Sequence, residues 1–415
     1  MVRLTDTQRR IWAAQRLHPD VPLANMGDRI RLAGVIDPGR FVASFDAVVQ
    51  HSAMLRSVVV DADSIEVLPR SPRTTEVLDL DLDDLDDWIA ARVGVPIDAT
   101  RCVYDSVLLR HADDDWTWWL CIHHVATDAT SSALVVSATS SAYLADVDPA
   151  AAPLEMLTGD VGHLDVHPGP TGGPVANDAR SPTTDAPTTR PGLGLTVGPP
   201  TTRSDRYAVD ATVVERVHAA LDGPYRTLST DLGALVLAAM SLALLARRFD
   251  GADEITIGVP MHGRGRRVDA GVVGPMMRTV PWVVHADPDE SHGETFRRLT
   301  RDVMRLVRRP SEEHAAASLV VNVATAEYPD VAGVPSSRCW VRSGHDDPTQ
   351  LVGVQVFRDG GATTWMVDVD HALGPDRSQV ATWFERQLAA IVDAPDARPS
   401  TASIGLDDVA ELRAL

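Results

Sequence analysis

The sequence predicts an α/β protein of two domains joined by a linker, and three observations carry that reading. Strand and helix signals alternate up to about residue 147. Similar signals resume at about residue 206. Between them the character changes to Gly, Pro, Thr and Asp without periodicity, and ten of the 28 prolines fall in 149–200. The expected division is therefore an N-terminal half at 1–150, a linker at 151–205 and a C-terminal half at 206–415. At 415 residues the chain is long enough for each half to bury a core of its own.

Taken in order, residues 116–122 (Trp-Thr-Trp-Trp-Leu-Cys-Ile) alternate poorly but are aromatic and β-branched, which predicts a buried strand. Beyond it, 129–147 carries Ala133, Leu134, Val136 and Val147 at helical spacing. The C-terminal half opens with a helix around 213–221. Residues 230–246 are apolar on nearly every face, and their length and charged flanks (Asp231, Arg247, Arg248, Asp250) favour a buried central helix over a membrane span. A short strand follows at 255–259. An amphipathic helix at 294–309 then presents arginines at 297, 298, 301, 305, 308 and 309. Strands at 319–324 and 364–370 and a packed helix at 380–392 complete the series.

Composition excludes several functions. A formal charge of −20 argues against nucleic acid as a partner, because binding it needs clustered positive charge. No lysine occurs, so all 38 basic residues are arginine; a P-loop lysine and Schiff-base chemistry are excluded. Cys102, Cys121 and Cys339 have no metal-type spacing and read as small buried residues in a reducing compartment. With no secretory h-region at the N-terminus and no membrane span, a soluble cytoplasmic protein is expected, and a monomer.

The chemistry concentrates at His123-His124-Val-Ala-Thr-Asp128, between the predicted strand and helix. Successive strand residues point to opposite faces, so His123 and His124 cannot share one cavity. His124, next to the loop, is the better candidate for a base that takes a proton from an amine, hydroxyl or thiol, and His123 reads as structural. The local pattern alone leaves open that both are satisfied core histidines. Asp128 is placed to cap the helix, to fix the site's geometry, or both. No metal is expected: a catalytic zinc needs three protein ligands, and adjacent strand histidines do not converge on one ion. There is no Gly-x-Ser-x-Gly elbow for a serine hydrolase.

The same six residues resemble the HHxxxDG signature of nonribosomal peptide synthetase condensation domains and their acyltransferase relatives. Further segments resemble the family in order and spacing. Thr5-Asp-Thr-Gln8-Arg-Arg10-Ile-Trp12 is similar to the block SxAQxRxW. Residues 45–56 are similar to the helix ending in RHExLR, with Ser52 in place of the histidine. Ile257-Gly-Val-Pro260-Met-His-Gly-Arg264 is similar to IGxPxxGR, and residues 273–281 to VGxFxNTLPLR. The departures are Ala129 for the motif's glycine, Arg278 for the asparagine, Val283 for the terminal arginine, and a poor match to HQDxPFE around 309–315.

The resemblance implies two chloramphenicol-acetyltransferase-like α/β domains forming a V, with a central tunnel that holds the histidines. It implies acyl transfer from a carrier-protein thioester to an amine or hydroxyl, giving an amide or ester in natural-product biosynthesis. His124 would be the catalytic base, with His123, Asp128 and Arg264 structural around it. Arg264 is the expected partner of Asp128 and Arg278 the alternative, although Arg264 also reads as a solvated member of the basic run 264–267. Ala129, Arg278 and Asn322 are expected along the substrate tunnel. No cofactor of the chain's own is implied, since phosphopantetheine arrives on an acyl or peptidyl carrier protein; a small molecule or a second carrier supplies the acceptor. No room is left for adenylation or carrier domains, so a free-standing condensation enzyme is expected. Two rivals share the fold: a coenzyme A-dependent acyltransferase acting on a small alcohol or sugar, and a non-catalytic recruitment domain.

Overall fold

The structure, a computed structural model, describes residues 1–152, 154–157, 201–250, 253–264, 269–285, 287–308, 317–324, 326, 328–359, 362–374 and 377–399. In the N-terminal half these form β1 (Val2–Arg3), α1 (Asp6–Leu17), β2 (Asn25–Ala33), α2 (Pro38–His51), β3 (Ser57–Val59), β4 (Ser64–Val67), β5 (Glu76–Asp79), α3 (Leu85–Val93), β6 (Tyr104–Ala112), β7 (Asp115–His123) and α4 (Ala129–Leu144). The C-terminal half contributes β8 (Ser204–Ala208), α5 (Ala211–Asp222), α6 (Thr230–Asp250), β9 (Glu254–His262), β10 (Met277–His285), α7 (His292–Arg308), β11 (Leu319–Ala324), β12 (Ser336–Val341), β13 (Val352–Asp359), β14 (Ala362–Asp370) and α8 (Arg377–Asp393). The linker expected at 151–205 lies mostly outside the described residues.

The aromatic strand β7 explains its own sequence. Trp116, Trp118, Leu120 and Ile122 join a core with Phe41 and Phe45 of α2, Trp118 meeting their rings edge-on at 5.1 and 5.5 Å. On the opposite face Trp119 and Cys121 pack with Ile89 and Val93 of α3. Both faces are covered, so the polar–apolar alternation of a half-exposed strand is absent. Each fully buried large side chain contributes about 1.5–3 kcal/mol. Burial also pushes the Cys121 thiol well above its ordinary range, as fits a packing residue.

In the C-terminal half a six-stranded sheet runs β10-β9-β11-β13-β14-β8. One face, including Ile257, Trp282, Val321, Val354 and Trp365, is buried with α5, α6, α7 and α8. Residues 230–247 are long and apolar enough to cross a membrane, yet 78% of that window is buried inside the protein. This is the central helix that the sequence predicts. Asn322, paired in register with Gln355, lies on the sheet's other face together with Phe357. There Trp340 of β12 meets Phe357 edge-on at 5.8 Å, and the Arg206 guanidinium lies 4.5 Å from the Trp340 ring.

That contact arises because β12 leaves its own half. The N-terminal sheet runs β12-β2-β7-β6-β5, with β12 antiparallel to β2 and Arg338 opposite Ile30. Val272, Val273, Val331 and Ala332 are likewise buried in the N-terminal core. A Cβ at Gly34 would stand 2.4 Å from a Val334 methyl, so glycine is what allows the crossing segment to come close. The boundary drawn at 206 is thus crossed by residues from the C-terminal half, for which the sequence offers no periodic signal.

Candidate active site

Strand β7 ends at His123 because the next backbone groups turn away. His124 N–H donates to the Ala24 carbonyl at 2.7 Å, and Ala126 N–H to the His123 carbonyl at 2.8 Å. Gln8, held in a capping box with Thr5 at the start of α1, donates its side-chain amide to the Val125 carbonyl at 2.9 Å. Asn25 fixes the same end of the sheet by donating to the Val93 and Val95 carbonyls at 2.9 and 2.8 Å. The loop carrying the histidines is thus tied to two separate segments, at Ala24 and at Gln8.

The two histidines differ as the strand geometry requires. His123 is fully buried, its Nδ1 accepts from Val125 N–H at 3.1 Å, and its ring lies edge-on to Trp12 at 6.2 Å. Burial, with a smaller contribution from His124, pushes its pKa down to about 3. His124 is partly buried, with Nδ1 2.7 Å from the Thr127 carbonyl. A carbonyl only accepts, so Nδ1 carries the proton and Nε2 keeps its lone pair for an incoming proton.

Asp128 caps α4 and bridges the halves. Its Oδ1 accepts from Ser131 N–H and lies 2.8 Å from the Ser131 hydroxyl. Its Oδ2 accepts from Arg264 Nη1 at 2.7 Å and from Met276 N–H at 3.0 Å. Both side chains of the pair are nearly closed to solvent, 5% exposed for Arg264 and 3% for Asp128. Burial alone would raise the Asp128 pKa; the hydrogen bond and charge of Arg264 outweigh it and hold the carboxyl below its ordinary range. Arg264 Nη2 also donates to Ser131 Oγ, Val272 O and Gly274 O at 2.8, 3.1 and 3.1 Å. Arg264 is therefore a buried crosslink. It is not the solvated arginine of the alternative reading.

Arg278 sits on β10 opposite Met261 and is not among the partners of Asp128. Ala129 is the first residue of α4 with negative φ, so glycine is not required there by the backbone. Asn322 donates to Gln355 at 2.9 Å on the sheet face toward β12, separate from the Asp128 cluster. Among the described residues no three His, Cys, Asp or Glu side chains gather as metal ligands. Two open cavities of about 710 and 720 Å³ run along α7, and neither is lined by residues 123–128.

Sequence reading did not anticipate a second polar cluster on α4. Asp28 Oδ1 takes Nε and Nη2 of Arg338 at 2.8 and 2.5 Å, and its Oδ2 accepts from the Ser132 hydroxyl at 2.5 Å. The Arg338 guanidinium stacks 3.9 Å from the Tyr328 ring, whose hydroxyl donates to the Ala129 carbonyl at 3.3 Å. Only the Ser131-Ser132 pair in the first helical turn hinted at such neighbours.

Residues 1–155 match the family described as condensation domain. Among curated proteins the chain is similar to isonitrile lipopeptide synthase of Mycobacterium tuberculosis, 26% identical over 71% of this chain and 12% of that protein. It is also similar to dimodular nonribosomal peptide synthase of Bacillus subtilis, 22% identical over 75% of this chain and 13% of that protein. The chain thus spans about an eighth of the length of these two relatives. Its fold is similar to the first condensation domain of the calcium-dependent antibiotic synthetase bound to a substrate analogue, with TM-score 0.72, 17% identity and coverage of 97% and 99% of the two chains. It is equally similar to a mutant starter condensation domain of rhizomide synthetase in complex with C8-CoA, with TM-score 0.73, 16% identity and 96% of each chain. The fold is that of a condensation domain, and residues 1–155, which bear the histidine motif, match the condensation-domain family.

Proposed function

We propose that the chain transfers an acyl group from a carrier-protein thioester to an amine or hydroxyl acceptor, in the assembly of a natural product. The observation that carries this reading is the orientation of His124, whose Nδ1 is engaged by Thr127 and whose Nε2 is left to accept a proton. As the acceptor's nitrogen or oxygen attacks the thioester carbonyl, its proton passes to Nε2. The carbonyl–sulfur bond then breaks and the thiolate takes that proton back, leaving an amide or ester and a free carrier thiol. Asp128 and Arg264 hold the loop in place without touching the reacting atoms. The donor would enter between the two halves through a tunnel, along the sheet face that bears Asn322. Arg297, Arg301 and Arg308 are exposed on α7 and offer an acidic carrier a basic face, while Arg305 is engaged by Asp302 and Arg298 by Glu290.

One observation favours a second reading, a coenzyme A-dependent acyltransferase: a starter condensation domain of similar fold was solved with C8-CoA. Supplying the same acyl group on a carrier protein and on coenzyme A, with one amine and one alcohol acceptor, separates the two. Clear preference for the carrier-bound donor supports the proposal. Equal or better use of coenzyme A transfers support to the second reading. Absence of transfer from either donor across several acyl groups favours a recruitment domain. His124→Ala is expected to lower turnover by roughly 10²–10⁴-fold, the range for a lost general base, with its melting temperature unchanged.

A further inference from the structure

The first turn of α4 is held from two directions, and only the Asp128–Arg264 side corresponds to the signature motif. On the other side Ser132 bonds Asp28, the Ala129 carbonyl accepts from Tyr328, and Arg338 joins the two by pairing with Asp28 and stacking on Tyr328. This matters at His124 because the turn begins at the Thr127–Asp128 peptide. The Thr127 carbonyl takes the Nδ1 proton of His124, and the Thr127 hydroxyl donates to the Asp128 carbonyl at 3.1 Å. A shift of the first turn tilts that peptide and releases the ring.

Asp28 is 4% exposed and lies on β2, whereas Arg338 arrives from β12, 310 residues further along the chain. Burial pushes the Tyr328 hydroxyl upward, so it stays protonated and donates. The rigid fork of arginine and its flat stacking face suit a position where one guanidinium must bind a carboxylate and lie on a ring together.

We infer that Arg338, with Asp28 and Tyr328, is a positioning residue that sets the tautomer and orientation of His124 through the first turn of α4. This rests on the reading of His124 as proton acceptor. The clamp also makes the base depend on β12 being seated, since Arg338 is carried on the crossing strand.

The test uses the full chain labelled with ¹⁵N, in which the ring nitrogens of His124 are assigned by loss of signals in His124→Ala. In the wild type, Nδ1 should show a protonated, hydrogen-bonded signature. Arg338→Met and Tyr328→Phe should each convert it to mixed tautomers, and both should lower kcat about 10- to 100-fold at unchanged KM for the carrier-bound donor. Arg338→Lys, which keeps the charge but loses the fork and the stacking, should recover only part of either signal. Should Arg338→Met fail to fold, the double variant Asp28→Asn with Arg338→Met removes both buried charges and is read in its place. An unchanged His124 signature and kcat in folded Arg338 and Tyr328 variants, with only a lower melting temperature, overturns the inference. The nitrogen signature requires no substrate. Its loss in the variants alongside normal turnover by His124→Ala would therefore sustain the positioning and reject His124 as the proton acceptor.

Discussion

His123 and His124 are adjacent in sequence but answer to different environments, and this difference can be read by acid. In the unfolded chain the His123 imidazole takes a proton near pH 6.5; in the folded protein it does so only near pH 3. Between these values the unfolded state binds one more proton, so lowering the pH favours unfolding. The destabilisation begins below about pH 6.5 and reaches about 2 kcal/mol at pH 5. His123→Asn retains an acceptor for Val125 N–H and does not titrate. Its unfolding free energy should therefore fall less steeply than the wild type's between pH 7 and 5, as measured by urea titration; parallel curves would contradict the assignment. The different surroundings of the two histidines were legible because strand geometry separates neighbouring side chains. Their partners were less so. Arg264 could be named from its motif. Tyr328, however, lies 199 residues beyond the Ala129 carbonyl it holds, in a stretch without pattern, and nothing local to it or to Arg338 points at Asp28.

At the N-terminus of α4 a single carboxylate caps a helix and neutralises a buried arginine, so its removal has two effects. Asp128→Ala should destabilise the fold by about 3–5 kcal/mol, mostly by leaving the Arg264 charge buried without its acid, with about 1 kcal/mol from the lost cap. Asp128→Ala combined with Arg264→Met should regain part of that loss, because no charge is then stranded; chemical denaturation of the wild type and the two variants measures it. A double variant less stable than the single would show that the stranded charge is not the main cause of the loss. Asp128 also contributes stability above the ordinary carboxylate pKa, and that contribution disappears as the pH falls through its depressed value. Among the elements, those with a strong period or run were readable from sequence: β7, α4, α6 and α7. Strand β2 was not, because Gly27 and the buried Asp28, which pairs with Arg338, cut short the alternation that Arg29-Ile30-Arg31-Leu32 carries. Strand β12 was not because Ser-Ser-Arg-Cys-Trp-Val carries no repeat, and its pairing is set wholly by the partner strand.

For the molecule as a whole, the crossing strand makes the two halves unequal to separate domains. Residues 1–157 produced alone should lack the edge strand and the side chains of Val272, Val273 and Val331 that fill their core. They should be aggregated or non-cooperative in melting, and co-production with residues 201–415 should restore a soluble complex. A soluble, cooperatively melting 1–157 fragment would show that β12 is dispensable. The same topology has a consequence in time. During synthesis β2 emerges early, but the strand that covers its outer edge ends at Val341, 308 residues after Ala33. At about 5–20 residues per second the ribosome takes about 15–60 s to deliver it, and throughout that interval the nascent chain carries an open, hydrogen-bond-hungry edge. Yield in a cell should therefore depend on translation speed and chaperone supply more than the stability of the finished protein would suggest.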